Sequence, residues 1–152
     1  MGCDIHAYAE RKDGKKFKPV KVVVFDNRSY GIFGFLANVR NYSGVPPIAE
    51  RRGFPSDAAT KTKTNFENWG CDAHSPSWLS VEELLSFDYD QPVEDRRVTR
   101  QISENFWSGG ETADTGGGTM TTFREFLGEW FFKDLDKLRE AGADRVVFWF
   151  DN

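Results

Sequence analysis

The closing segment, residues 145–150 (RVVFWF), constrains the fold most. Val146, Val147, Phe148, Trp149 and Phe150 follow one another without a polar face. A strand of this kind needs pairing on both sides and cover on both faces, which predicts the centre of a sheet. The opening strand differs. Cys3, Ile5, Ala7 and Ala9 alternate with Asp4, His6, Tyr8 and Glu10, the period of a strand with two unlike faces. Asp13-Gly14 is a hairpin signal. Residues 21–25 read as the return strand, with Pro19 at an edge or ahead of the pairing.

Helical spacing follows. Residues 28–41 place Ile32, Phe33, Phe35, Leu36 and Val39 on a stripe opened by Asp26 or Asn27, with Gly31 and Gly34 permitting close packing against a sheet. Pro46 and Pro47 exclude helix beyond it. Residues 48–79 show no period and read as an irregular loop, polar and Thr-rich at 61–65. Ser80 and Glu83 form a capping box before Val81, Leu84 and Leu85. Residues 88–119 read as a variable insertion. In it Val98, Ile102, Phe106 and Trp107 fall at helical spacing, and 108–119 is a flexible glycine-rich loop. Thr122 and Glu125 open one long helix with Phe123, Phe126, Leu127, Trp130, Phe131, Leu135 and Leu138 on its stripe, closed by Gly142. The expected class is α+β: a single domain over 1–152, its small mixed or antiparallel sheet packed against helices, with long irregular loops.

Composition narrows the function. The chain has 152 residues, one domain's worth. Its formal net charge of −4 argues against broad nucleic-acid coating, and no strong nucleic-acid signature is present. No run approaches the roughly 18 apolar residues of a membrane span. No secretory core precedes Asp4 and His6, and two cysteines do not staple a secreted scaffold. The expected setting is cytoplasmic, of a bacterium or an infected host cell, with no membrane partner.

All cysteines and histidines fall in two tetrads, Cys3-Asp4-Ile5-His6 and Cys71-Asp72-Ala73-His74. Thiolate and imidazole suit zinc. On an extended strand, however, Cys3 and His6 face opposite ways while Asp4 and His6 share a face. A site of Asp4, His6 and His74, with Asp72 or Asp151, is the better metal set, of a mixed oxygen and nitrogen kind suited to zinc, manganese or iron. The structural alternatives are plain. Cys3 serves as a small buried apolar residue. His6 donates to Asp4 or a backbone carbonyl, and His74 braces a loop. Arg28 stands at a helix start, where a cation is unfavourable without a partner. That calls for an anionic ligand, or for Asp26 or Asp151. Arg40 at the helix end is favourable without any function, and Arg96, Arg97 and Arg100 read as a solvated face. Ser75 beside His74 lacks the strand–turn–helix elbow of a hydrolase nucleophile. Tyr30, Tyr42 and Trp69 are able to stack a base.

The opening MGCDIH, the segment from DNRSY to VRN, RRGFP, HSPSWL and the closing RVVFWFDN resemble a family of small proteins encoded by bacteriophages, prophages and bacteria. The likeness spans most of the chain and is weakest over about 88–118. It carries Gly2, Cys3, Asp4, His6, Asp26, Arg28, Tyr30, Arg40, Gly53, Pro55, His74, Ser75, Ser77, Trp78 and Asp151, and omits Cys71. It implies a genomic setting and no mechanism.

Two functional classes follow. In one, a polar pocket binds or hydrolyses an anionic phosphoester or nucleotide-like ligand. His6 and His74 act as base or metal ligand, Asp4 as ligand or orienter, and Arg28, with Arg52, holds the anion. A divalent metal such as zinc or manganese would assist. In the other, the protein is a non-catalytic inhibitor that binds a host protein.

Overall fold

The computed structural model describes residues 2–103 and 106–152, the side chains of 99–111 excepted. The fold is α+β. Strand β1 (Asp4–Asp13) turns at Gly14, whose φ of 63° suits the tight turn, into β2 (Lys16–Val20). The return strand thus lies earlier than expected and contains Pro19, which is tolerated because β2 is an edge. Residues 21–25 are not strand. They lead to Phe25, at φ 56°, whose N–H donates to Asp134 Oδ2 at 2.9 Å. Strand β8 (Arg145–Asp151) lies between β1 and β3 (Ala73–Ser80) in an antiparallel sheet of order β2-β1-β8-β3. The central position expected for 145–150 is therefore observed.

Cross-strand register divides the sheet into two faces. Ile5, Ala7 and Ala9 pair with Phe150, Phe148 and Val146, and His74, Ser77 and Leu79 pair with the same three. Against this face pack α1 (Tyr30–Ala37), α3 (Val81–Ser86), α4 (Phe123–Leu127) and α5 (Glu129–Glu140), building the aromatic core around Phe33, Phe35, Phe131 and Phe150. On the other face, Asp4, His6, Tyr8 and Glu10 pair with Asp151, Trp149, Val147 and Arg145. It is covered by α2 (Thr60–Trp69) and the segment before it: Phe54 and Phe66 stack at 4.3 Å over Trp149.

Four expectations are corrected. Helix α1 is capped by Ser29 rather than Asp26 or Asn27, and it stops at Ala37 because Asn38 takes the left-handed conformation (φ 56°). The 48–79 segment holds α2, a short 3-10 turn (Gly70–Asp72) and β3. Helix α2 buries only Thr62, so it carries no apolar stripe for periodicity to detect. The insertion is β-structure: β4 (Pro92–Asp95) pairs with β7 (Thr119–Thr122), and β5 (Arg97–Ser103) pairs with β6 (Phe106–Thr112). Val98, Ile102, Phe106 and Trp107 thus belong to two paired strands. The glycine-rich loop shrinks to 113–118, where the Gly116 and Gly118 N–H groups donate to the Glu94 carboxylate, each at 3.1 Å. The long final helix is two helices, broken at Gly128 (φ 83°), and Trp130 faces solvent.

Gly34 meets the loop after α1 rather than the sheet. A Cβ there would lie 2.6 Å from Asn41 Oδ1. Asn41 binds both the N–H and the C=O of Val45, at 3.0 and 2.8 Å. Gly34→Ala is therefore expected to destabilise the fold by about 1–3 kcal/mol through overpacking. Urea unfolding measures it, and a loss below about 0.5 kcal/mol would show that Asn41 swings clear.

Candidate functional site

The polar residues singled out in the sequence gather where β1 begins and β8 ends. Asp4 and Asp151 are opposite each other in register, and the Asp4 N–H donates to Asp151 Oδ1 at 3.3 Å. His6 Nε2 lies 2.6 Å from Asp151 Oδ2, and its ring packs 4.2 Å from Trp69. The partner of His6 is thus Asp151, neither Asp4 nor a carbonyl. Arg28 pairs with Asp4 rather than Asp26 or Asp151, through two bonds of 2.8 Å. Those bonds hold the Asp4 carboxyl below its ordinary range. The guanidinium lies against the backbone of Gly2, where a Cβ would come within 2.0 Å of Arg28 Nη1. A larger residue at position 2 would require the half-exposed Arg28 side chain to shift.

Beside this cluster is a cavity of about 360 Å³. The N-terminal end of α1 gives it Arg28, Ser29 and Tyr30. The turn after α1 gives Arg40 and Tyr42, and the base of the β5–β6 hairpin gives Arg97. Arg97 is bound to the Asp95 carboxylate at 3.0 and 2.9 Å. Arg40 is different: among the described residues it has no carboxylate within 4.0 Å. Its Nη1 donates to the Tyr42 hydroxyl at 3.1 Å, its guanidinium lies 5.7 Å from the Tyr30 ring centre, and its charge is felt by the Cys3 thiol, which burial pushes up. Its backbone is left-handed, φ 49°, a costly conformation for a residue with a Cβ. A strained arginine, with no carboxylate partner among the described residues and in contact with Tyr30 and Tyr42, is what this site is built around.

The remaining candidates lie elsewhere. His74 pairs in register with Phe150, on the core face, whereas His6 and Asp4 occupy the opposite face. Asp4, His6 and His74 are therefore not brought together as a metal site, because a single residue of register separates the faces. Among the described residues no three His, Cys, Asp or Glu groups gather to hold a metal. His74 Nδ1 lies 3.0 Å from Ser75 Oγ, at a β-bulge where Ser75 has φ 53°, and the buried His74 Nε2 has no partner among the described residues. Cys3 is buried in the core and Cys71 is exposed, both as free thiols.

Arg52 is committed to structure. It makes two bonds to Glu83, at 2.8 and 2.6 Å, and stacks 4.7 Å from the Trp78 ring centre. The Arg52 bonds, with help from Ser80, draw the Glu83 carboxyl from 4.5 down to about 2. A depressed folded value stabilises above the unfolded value and fades as pH falls through the folded one. This contribution is thus present above about pH 4.5 and lost towards pH 2. Glu83→Gln is expected to lower stability at neutral pH and to flatten the pH dependence across that window, as followed by circular dichroism in an acid titration. An unchanged acid limb would contradict the pairing.

Comparison with known proteins returned no match: no family model fits the chain, and no curated protein or solved structure matches it. No helix among the described residues is long and apolar enough to cross a membrane. The chemistry therefore rests on the site. The sequence marks Arg40 as an ordinary helix-end cation and Arg97 as solvated surface, yet both line the cavity. Glu10, on the polar side of an alternating strand, is fully buried against Arg145. The signal for it was β8 itself, since a strand covered on both faces forces its neighbours' polar residues to pair.

Proposed function

We propose that the protein binds an anionic phosphoester or nucleotide-like ligand in the Arg28–Arg40–Tyr42 cavity. The observation that carries this reading is Arg40, a guanidinium with no carboxylate partner among the described residues, held in a strained backbone at the cavity wall. Its planar fork suits two oxygens of one phosphate. The ring of Tyr42, half exposed, offers a face for a base. Binding is favoured over hydrolysis because the His6–Asp151 pair does not line the cavity. A base must reach the proton it moves. No metal takes part in this reading, since the three proposed ligands are split between sheet faces. In the phage or bacterial setting that the resemblance implies, sequestration of a small phosphorylated molecule fits a protein of this size.

Isothermal titration of the full chain with nucleotides tests the reading. Saturable binding at one site, lost in Arg40→Ala, is expected. Absence of binding, or undiminished binding in Arg40→Ala, would overturn it.

A further inference from the structure

The charge balance of the same cavity specifies the charge of its ligand. Three guanidiniums line it. Arg28 is neutralised by two bonds to Asp4 and Arg97 by two bonds to Asp95. Arg40 alone among them has no carboxylate within 4.0 Å among the described residues. Both carboxylates are ionised at neutral pH: Arg28 holds Asp4 low, and Asp95, which burial pushes up, is brought below its ordinary range by its bonds from Arg97. Arg96 stands behind Ser43, bound to the carbonyls of Ser43 and Ala113, and does not line the cavity. The other groups used here, Ser29, Tyr30 and Tyr42, are neutral. The described lining therefore presents one uncompensated positive charge.

A single negative charge satisfies it. A second would find the other two guanidiniums already held by Asp4 and Asp95, which do not line the cavity themselves but whose charges would oppose it, and its desolvation would go unrewarded. The volume of about 360 Å³ is at the lower end of small-molecule sites, the size for one nucleotide rather than several. Resting on the anion-binding reading above, we propose that the cavity selects a singly charged phosphodiester of one-nucleotide size over the doubly charged phosphomonoester of the same nucleoside, and that Asp4 and Asp95 set this selectivity. The two free oxygens of the diester meet the Arg40 fork, and the base lies on the Tyr42 ring.

The test is calorimetric titration of the full chain with the cyclic monophosphates and the ordinary monophosphates of the four common nucleosides, at neutral pH and fixed salt. At least one cyclic ester is expected to bind about tenfold or more tightly than its monophosphate. Asp4→Asn and Asp95→Asn, each with its melting temperature checked, are expected to raise monophosphate affinity and erase most of that preference. Cyclic ester affinity should stay within about threefold. Equal or tighter binding of the monophosphates by the unaltered protein would overturn the selectivity and leave anion binding standing. Binding of neither class would overturn both. A single-stranded oligonucleotide bound more tightly than every cyclic ester, and lost in Arg40→Ala, would overturn the proposal in favour of a nucleic-acid backbone.

Discussion

Glu10→Ala is expected to lower the melting temperature by about 10 °C, from a loss of about 3–5 kcal/mol. Glu10 is 0% exposed and Arg145 only 4%. Glu10 Oε1 accepts from Arg145 Nε at 2.8 Å, and Oε2 accepts from the Ala59 N–H at 2.8 Å, just ahead of α2. Arg145 Nη2 lies 2.7 Å from the same Oε1 but off the direction of a hydrogen bond, while Nη1 donates to Asp57 at 2.9 Å. The guanidinium sits 3.4 Å from the Phe17 ring centre. Removing the carboxylate leaves a buried cation with only the half-exposed Asp57 to meet it. It also releases the N–H that fixes the approach to α2. The double change Glu10→Leu with Arg145→Met should restore more than half of the loss, because no charge is then left buried. Thermal unfolding decides it. A loss below about 1 kcal/mol for Glu10→Ala would mean that water reaches the pair.

Arg40→Ala is expected to weaken ligand binding by at least about thirtyfold, roughly 2 kcal/mol, with the fold retained. Removing the one cavity-lining guanidinium without a carboxylate partner among the described residues removes the attraction, and neither Arg28 nor Arg97 replaces it while Asp4 and Asp95 hold them. Arg40→Lys should recover little, since an ammonium does not reproduce the planar fork. Arg40→Gly separates function from stability. Glycine adopts φ 49° without strain, so the variant should gain about 0.5–1 kcal/mol of stability while losing binding. Denaturant unfolding beside calorimetry reads both effects. An Arg40→Gly protein that is less stable than the parent would show that the arginine is a structural brace instead of a ligand group.

The parts of the fold legible in the sequence were those with a clean period. Alternation in β1, the apolar run of β8 and the Asp13-Gly14 turn sufficed to place the opening strand, its turn and the middle strand, whereas the return strand β2 lies at the sheet edge and earlier than expected. The α2 helix was not legible because its buried face is a single threonine, and its place is set by Phe54, Phe66 and Trp69 meeting the sheet. The β5–β6 hairpin has apolar residues that mimic helical spacing, and only its pairing distinguishes the two. At the site, Asp4, His6 and Arg28 were picked individually from chemistry. Their partners came from register: Asp151 faces Asp4 only because β8 runs antiparallel to β1. The cavity was the least legible part. It depends on a left-handed Arg40 after α1 and on Arg97 at the foot of a hairpin far along the chain, and neither has a local signature.

The central claim is that Arg40 is the group that meets the ligand's phosphate. The most direct measurement follows the arginine Nε–H resonances by heteronuclear NMR while a cyclic mononucleotide is titrated into the isotope-labelled full chain. The account predicts that the Arg40 resonance, assigned by its loss in Arg40→Lys, shifts and saturates with the ligand, while those of Arg52 and Arg145, locked to Glu83 and Glu10, stay in place. A saturable ligand that moves other arginines and leaves Arg40 unperturbed would contradict it.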